Sequence, residues 1–199
     1  MIPFTDMTGL AGSAIAATAM VAQLPGVARM PSSRYGLLLC VIAITVLIPF
    51  NGLPLAAYVR GITGDLSITA LVLLMLSVLR PLFGWRPSDA GARTAMLILI
   101  ALAATGLYPM ALGAGLFDPY SLGYGNPWFI GGLLLIALAA CLRRLPVIAL
   151  AIALAVLEWG AGWNESNNLW DYLLDPLLAI YAFGALLRQG VQILSKPRR

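Results

Sequence analysis

The sequence predicts an all-α fold, a polytopic membrane bundle of six transmembrane helices that follows an amino-terminal interfacial or re-entrant helix. Hydrophobic residues make up 61% of the 199-residue chain and charged residues only 10%, whereas about a quarter of residues are charged in an ordinary soluble domain. The mean hydropathy is +0.92. Apolar runs without alternation favour helices over a β-barrel, because a helix satisfies its own backbone hydrogen bonds in lipid. We therefore expect one membrane domain.

Residues 1–34 are predicted to form the interfacial segment, and residues 35–199 the six-span domain. The run of residues 9–23 is rich in alanine and glycine and poor in large apolar side chains, so it is a weak span. The first basic residue is Arg29, which argues against a cleaved signal peptide with its basic start. A seventh span at residues 9–23 is the alternative interpretation.

Prolines and capping residues mark the predicted ends of the spans. Two prolines and a glycine at residues 49–54 should break the chain after the first span, and Pro109 should kink the third. Asp65 is placed to cap the second span, and Asp175 to cap the sixth with Pro176 at its first helical position. The six spans are predicted at residues 35–50, 66–79, 94–116, 128–142, 146–159 and 176–193.

The basic residues predict the orientation of the bundle. With an inside amino terminus and six spans, both termini are cytoplasmic, the inner side carries a net charge of +9 and the outer side −5. This distribution predicts a multi-pass protein of the bacterial inner (plasma) membrane. A seventh span would move only Asp6 to the outer side. The inner basic residues are Arg29, Arg34, Arg80, Arg86, Arg93, Arg143, Arg144, Arg188, Lys196, Arg198 and Arg199.

The most polar stretch, residues 158–176, lies between two apolar segments at the predicted outer end. Its acids need an explanation, since acidic residues contribute little to topology and a charge beside a hydrophobic segment is usually paired or functional. If residues 164–174 are helical, Asn164, Asn168 and Asp171 form one polar stripe that extends to Asp175. The predicted ligand-binding residues are Glu158, Glu165, Asn168, Asp171, Asp175, Trp163 and Trp170, with Arg60 and Asp65 opposite them.

Each of these features also has a simpler interpretation. Asp65 and Asp118 are accounted for as cap and turn residues, and Asp175 as a cap before a proline. Tryptophans at one membrane boundary form an interfacial belt that needs no ligand. Aromatic rings beside carboxylates would equally suit a sugar face or an organic cation. Both interpretations stay open for residues 158–176.

This pattern predicts an inner-membrane protein whose outward-facing site binds a polar or cationic group, such as a lipid head group, sugar or cation, in envelope biogenesis or transport. One alternative is a carboxylate-dependent enzyme on a lipid-linked substrate, which needs two converging carboxylates. Another is a structural subunit of a larger membrane complex. Histidine is absent and both cysteines lie in apolar runs, so no metal or other cofactor is indicated. The expected partners are membrane lipids and other membrane subunits, without nucleic acid.

Overall fold

The computed structural model describes residues 4–83 and 90–195. In these ranges the chain forms nine α-helices and one short hairpin, so the all-α prediction is confirmed. Asp89 and four of the basic residues assigned to the inner side, Arg86, Lys196, Arg198 and Arg199, lie outside the described residues. The elements are α1 (Phe4–Ala22), α2 (Ser32–Leu47), β1 (Pro49–Phe50), β2 (Leu53–Pro54), α3 (Leu55–Thr63), α4 (Ile68–Phe83), α5 (Ala90–Pro109), α6 (Pro127–Leu142), α7 (Pro146–Gly160), α8 (Leu169–Leu173) and α9 (Pro176–Leu194).

The cap of α9 forms as predicted, whereas the cap of α4 does not. Asp175 accepts a hydrogen bond from the backbone amide of Leu178 at 2.8 Å, which confirms it as the N-cap of α9. At α4 the hydroxyl of Ser67 accepts from the amide of Ala70 at 3.2 Å. The prediction that Asp65 caps α4 is therefore wrong, because its carboxylate pairs with an arginine instead.

The predicted break at residues 49–54 is confirmed as a two-residue hairpin. β1 pairs with β2 in antiparallel register, with Phe50 opposite Leu53. Asn51 and Gly52 connect the strands with φ values of 52° and 94°, and Asn-Gly is favoured at such tight turns because both residues tolerate positive φ. The hairpin turns the chain from α2 into α3.

The third predicted span also changes geometry where proline indicated it would. α5 ends at Pro109, and the chain continues as a π-helical turn, Met110–Ala114. Gly113 has a φ of 90°, which ends the helical geometry at this residue. Few residues other than glycine adopt such a φ. A π turn after a proline is a known cause of a local kink.

α1, which forms most of the predicted interfacial or re-entrant segment, packs along α4. Near its start Asp6 pairs with Arg60, and one and a half turns later Gly12 faces Leu71 of α4. Nineteen residues make α1 about 28 Å long, so it extends along the whole of α4. Its last turns join a small apolar core with the first turns of α2 and the last turns of α4. That core consists of Ala19, Ala22, Val27, Tyr35, Leu39 and Val78.

The larger core lies between α4, α5, α6, α7, α8 and α9. α5 packs against α9, and α6 forms a hairpin with α7. The start of α5 lies beside α9, where Arg93 donates to the hydroxyl of Tyr181 at 2.7 Å and Thr94 donates to Gln189 at 3.2 Å. α4 contributes to both cores, because its first turns carry Ile68 and Val72 into the larger one and Val78 lies in the smaller one.

Two helices in the described part of the chain, Gly91–Ala114 and Pro176–Leu194, are long and apolar enough to cross a membrane. Only 33% and 17% of their most apolar windows are buried inside the protein, whereas the core helix of a soluble protein would be mostly buried. Four shorter apolar helices, α2, α4, α6 and α7, have 15 or 16 residues, or about 24 Å. The fold is therefore an all-α bundle with two helices of membrane-spanning length.

Candidate functional site

The structure brings four separate segments of the chain together at one end of the bundle. Arg60 donates to Glu165 at 2.8 Å, and the side-chain amide of Asn168 donates to the carbonyl of Tyr120 at 2.9 Å. We call this region the acidic end. It consists of residues 4–9, 55–67, 118–126 and 158–176, which hold seven of the chain's eight acidic residues and one basic residue, Arg60.

Arg60 is the centre of an ion-pair cluster at the acidic end. Its guanidinium contacts Asp65 at 2.6 Å, Glu165 at 2.8 Å and Asp6 at 3.0 Å. The hydrogen bond to Asp65 raises the pKa of Arg60 above its ordinary value, against the opposing effect of burial. The predicted site residues Arg60, Asp65 and Glu165 therefore do contact one another. Because their charges are paired with each other, they connect α1, α3 and the loop before α8.

Gly9 makes this cluster sterically possible. The Nε of Arg60 and the carboxylate of Asp65 lie directly against its Cα, in the space that a Cβ would fill. A side chain at this position would displace the guanidinium from its partners. The ion pairs of Arg60 in α3 therefore require a glycine at position 9 of α1.

Asp175 is a buried carboxylate, only 6% exposed, that joins two helices. Besides the amide of Leu178 in α9, it accepts from the hydroxyl of Ser67 at 2.6 Å and from the backbone amide of Ser67 at 3.1 Å. The amino termini of α4 and α9 both point their positive dipole ends toward this carboxylate, which stabilises its charge. These contacts support the capping interpretation of Asp175, which the sequence left open beside a ligand role.

Asp171 has a different environment. It is half-buried and accepts from the hydroxyl of Tyr120 at 2.8 Å and from the hydroxyl of Ser166 at 2.5 Å. Burial, followed by the hydrogen bond to Asp171, raises the pKa of Tyr120, so the phenol remains a donor at neutral pH. No cation contacts Asp171 among the described residues, and Arg60 directs its bonds to other acids.

The predicted polar stripe over residues 164–174 is wrong. Only Leu169–Leu173 is helical, because the side chain of Asn168 accepts from the amide of Trp170 and starts the helix there. Leu174 is extended, so Asp171 and Asp175 do not lie one turn apart on a common helix. Each carboxylate has its own set of hydrogen-bond donors.

Asn168 is fully buried and connects two loops. Its oxygen caps α8 and its amide nitrogen bonds to Tyr120, so both ends of its side chain have partners. Gly123 approaches so closely that a Cβ there would overlap the amide of Asn168. The predicted ligand residue Asn168 therefore holds two segments of the acidic end together through its side-chain hydrogen bonds.

Glu158 lies in the last turn of α7 and is half-buried. Within the described part of the chain its carboxylate has neither a cation nor a hydrogen-bond donor in contact. Burial raises the pKa of the Tyr172 phenol, and the charges of Asp65, Asp171 and Glu158 raise that pKa further. Glu158 and Asp171 are therefore two half-buried carboxylates of the acidic end that no cation contacts among the described residues.

The tryptophans of this region bond mainly to its loops. The indole of Trp159 donates to the carbonyl of Asn167 at 2.9 Å, and that of Trp170 donates to the carbonyl of Pro119 at 2.9 Å. The predicted ligand residue Trp163 accepts at its carbonyl from the hydroxyl of Thr8 at 2.5 Å. Trp128, by contrast, is 87% exposed, as an interfacial belt residue should be.

A cavity of about 110 Å³ lies below α8. Trp170, Leu173 and Leu174 form its roof, and side chains of α4, α5, α6 and α7 form its walls. Its lining is apolar except for Thr69 and the indole of Trp170. The cavity therefore does not bring two carboxylates onto one substrate.

Comparison with known proteins does not assign this site. No family model, characterised protein or solved structure matches the chain. The chemistry of the acidic end therefore follows from its own contacts and charges.

Several residues of the acidic end were not among the predicted site residues. Asp6 is implied only by the seventh-span alternative, which places it on the outer side. Ser67, Tyr120, Ser166 and Tyr172 are ordinary polar residues of turns and helix ends, and no local pattern distinguishes them. Ser67 and Tyr120 bond to acids 108 and 51 positions away, whereas Ser166 and Tyr172 bond within their own segment.

Proposed function

We propose that the chain is a multi-pass protein of a bacterial inner membrane whose acidic end lies at the outer face and binds the ammonium group of a lipid head group. The observation that carries the proposal is the pair Glu158 and Asp171, half-buried carboxylates beside apolar helices with no cation in contact among the described residues. Charges in such positions are usually paired or functional. A ligand ammonium group would supply the missing partner.

The membrane location is supported by the two full-length apolar helices and by the exposure of their side chains. α6 adds a further apolar surface, since Leu134, Leu135 and Leu142 are each more than 60% exposed. In water, a patch of this size would promote association. In a bilayer, the same side chains face lipid.

The orientation follows from the distribution of basic residues. Arg143 and Arg144 occupy the turn between α6 and α7, which lies opposite the acidic end. Because α1 begins at the acidic end and extends along α4, we propose that it crosses as a seventh span and places the amino terminus outside. Asp6 then moves to the outer side, which gives net charges of +10 inside and −6 outside. This arrangement replaces the six-span topology with both termini in the cytoplasm.

The other acids of this region pair with Arg60 or accept backbone amides, whereas the donors to Asp171 among the described residues are two hydroxyl groups, so the proposal assigns the cation-binding role to Glu158 and Asp171. Asp6, Asp65 and Glu165 share Arg60, and Asp175 is held by two helix amino termini. Nearby aromatic rings attract a cation further through their π faces, by about 0.5–1 kcal/mol at an exposed site. A primary ammonium, as in phosphatidylethanolamine, is small enough to reach a half-buried carboxylate and donates three hydrogen bonds.

The two alternatives have unequal support. An enzyme with paired carboxylates needs both in one cavity, and the apolar lining of the cavity below α8 does not favour that chemistry. A structural subunit is favoured by the many internal contacts of the acidic end, in particular those of Arg60, Asn168 and Asp175. It leaves the missing counter-cation of Glu158 and Asp171 unexplained.

The proposal is tested by lipid binding in nanodiscs. Native mass spectrometry of the purified protein should show that phosphatidylethanolamine remains bound in preference to phosphatidylglycerol. Glu158→Gln and Asp171→Asn should each weaken this preference about fivefold, as expected for one partly exposed ion pair of about 1 kcal/mol.

Asp118→Asn is the matched control, because Asp118 is exposed and asparagine serves equally well in its turn. This variant also removes one negative charge from the acidic end, so it separates a local contact from the general field. Equal retention of the two lipids by the wild-type protein, or an unchanged preference in both site variants, would refute the proposed function.

A further inference from the structure

The cavity below α8 extends about two helical turns into the bundle. α5 contributes Met96, Leu99, Ile100 and Ala103 to its wall, and these positions recur at the three- and four-residue intervals of one helix face. Seven residues of helix correspond to about 10 Å. The cavity therefore begins directly beneath the segment that carries Asp171 and extends toward the middle of the bundle.

The size and polarity of the cavity suit a hydrocarbon. A cavity of about 150 Å³ lined by leucine, isoleucine and phenylalanine stays dry and binds small apolar molecules, and this one measures about 110 Å³. Thr69 alone contributes a hydroxyl, since the indole nitrogen of Trp170 already donates to Pro119. Water would find too few hydrogen-bond partners there to be stable.

The helices that line the cavity belong to two different helix pairs. α5 packs mainly on α9, and α6 packs mainly on α7, although α5 and α6 both line the cavity. A seam therefore runs between the two helix pairs. The surface beside it is apolar, since Leu102 of α5 and Leu134 of α6 are 66% and 68% exposed. A chain in the surrounding lipid could enter there without crossing a polar surface.

We infer that this cavity holds the terminal part of an acyl chain of the lipid whose head group binds at the acidic end. The inference rests on the proposed function and deepens it, because it assigns one ligand to two neighbouring sites. The carboxylates of Glu158 and Asp171 contact the ammonium group, and the chain bends through the seam into the space beneath Trp170 and Leu173. The site thus selects an amphipathic lipid over a soluble amine.

The experiment uses phospholipids that carry a photoreactive diazirine at the end of one acyl chain. The purified full-length protein is reconstituted with labelled phosphatidylethanolamine or labelled phosphatidylglycerol, irradiated and mapped by mass spectrometry. We expect crosslinks on the cavity-lining faces of α5 and α7, at Met96, Ile100 and Ile148. Crosslinks confined to the exposed outer faces would overturn the inference.

Ala151→Leu tests occupancy, since Ala151 lines the cavity and is only 1% exposed. The larger side chain should fill the space, reduce cavity crosslinks at least tenfold and leave the melting temperature unchanged or higher. Ala103→Leu fills the same cavity from α5 and serves as the second variant if Ala151→Leu fails to fold. Ala153→Leu is the matched control, because Ala153 lies two residues away on the exposed face of α7.

Unchanged cavity crosslinking in a folded filling variant would overturn the inference. The two head groups separate this result from the proposed function. Equal cavity crosslinking with both lipids, unaffected by Asp171→Asn, would retain the acyl-chain site and refute the head-group site. A preference for phosphatidylethanolamine without cavity crosslinks would retain the head-group site and refute the acyl-chain site.

Discussion

Asp175 shows how a single buried acid can be held without a cation. Its carboxylate accepts from Leu178 of α9 and from both the amide and the hydroxyl of Ser67 at the start of α4. Two helix amino termini thus stabilise one negative charge. The residue links the helices rather than presenting a free carboxylate to a ligand.

This geometry predicts that Asp175→Asn destabilises the fold, although asparagine is normally an equivalent cap. An amide has one acceptor oxygen, so its NH₂ group would face either Leu178 or Ser67, which are both donors at these contacts. We expect a loss of about 1–3 kcal/mol, the penalty for an unsatisfied buried group. Thermal unfolding in detergent measures the change, with Asp118→Asn as the exposed control. A melting temperature equal to that of the wild type would contradict this account of Asp175.

The sequence predicts local contacts of such residues and not their distant ones. The sequence predicts Asp175 as a cap because Pro176 follows it, whereas its second partner, Ser67, is 108 positions away. Arg60 and Glu165 are 105 positions apart, so their pairing depends on how α3 and the loop before α8 come together. The prediction for Asp65 is wrong for a local reason, because its carboxylate accepts from Arg60, five positions away, and Ser67 caps α4 instead.

At the scale of elements, prolines made the helix boundaries predictable. α6, α7 and α9 each begin at a proline, where the missing amide has no helical partner to lose. The sequence leaves open whether α1 spans the membrane, because its alanines and glycines lower its hydropathy. The same small residues let a helix approach its neighbours closely, and α1 accordingly packs along α4.

The role of Gly9 in this packing gives a second stability prediction. Gly9→Ala should displace the guanidinium of Arg60 from its carboxylates and destabilise the protein by about 1–3 kcal/mol. Gly12→Ala is the control on the same helix, since its Cβ would meet Leu71 at an ordinary 3.4 Å. Alanine should there stabilise the helix by up to about 1 kcal/mol. Thermal unfolding measures both variants. Melting temperatures that shift in the same direction for Gly9→Ala and Gly12→Ala would contradict the close approach of Arg60 to Gly9.

At the scale of the whole molecule, the two ends of the bundle differ in charge and in structure. The acidic end consists of loops and short helices that bond across long sequence distances. The opposite end has the tight Arg143-Arg144 turn, in which Arg144 has a φ of 56°. The apolar cavity lies between them, under the acidic end. In the proposal, this polarity relates a head-group site to an acyl-chain site for one lipid ligand.

The central claim is that α1 crosses the membrane, so that the amino terminus and the acidic end share the outer face. It is tested most directly by single cysteines at Met7, Asn167 and Ser195, which are all exposed. Cys40 and Cys141 are replaced beforehand, because both are exposed free thiols. With an impermeant thiol reagent, Met7→Cys and Asn167→Cys should react in intact cells, and Ser195→Cys only after lysis. Reaction of Asn167→Cys but not Met7→Cys in intact cells would contradict the seventh span, and protection of both would contradict the orientation.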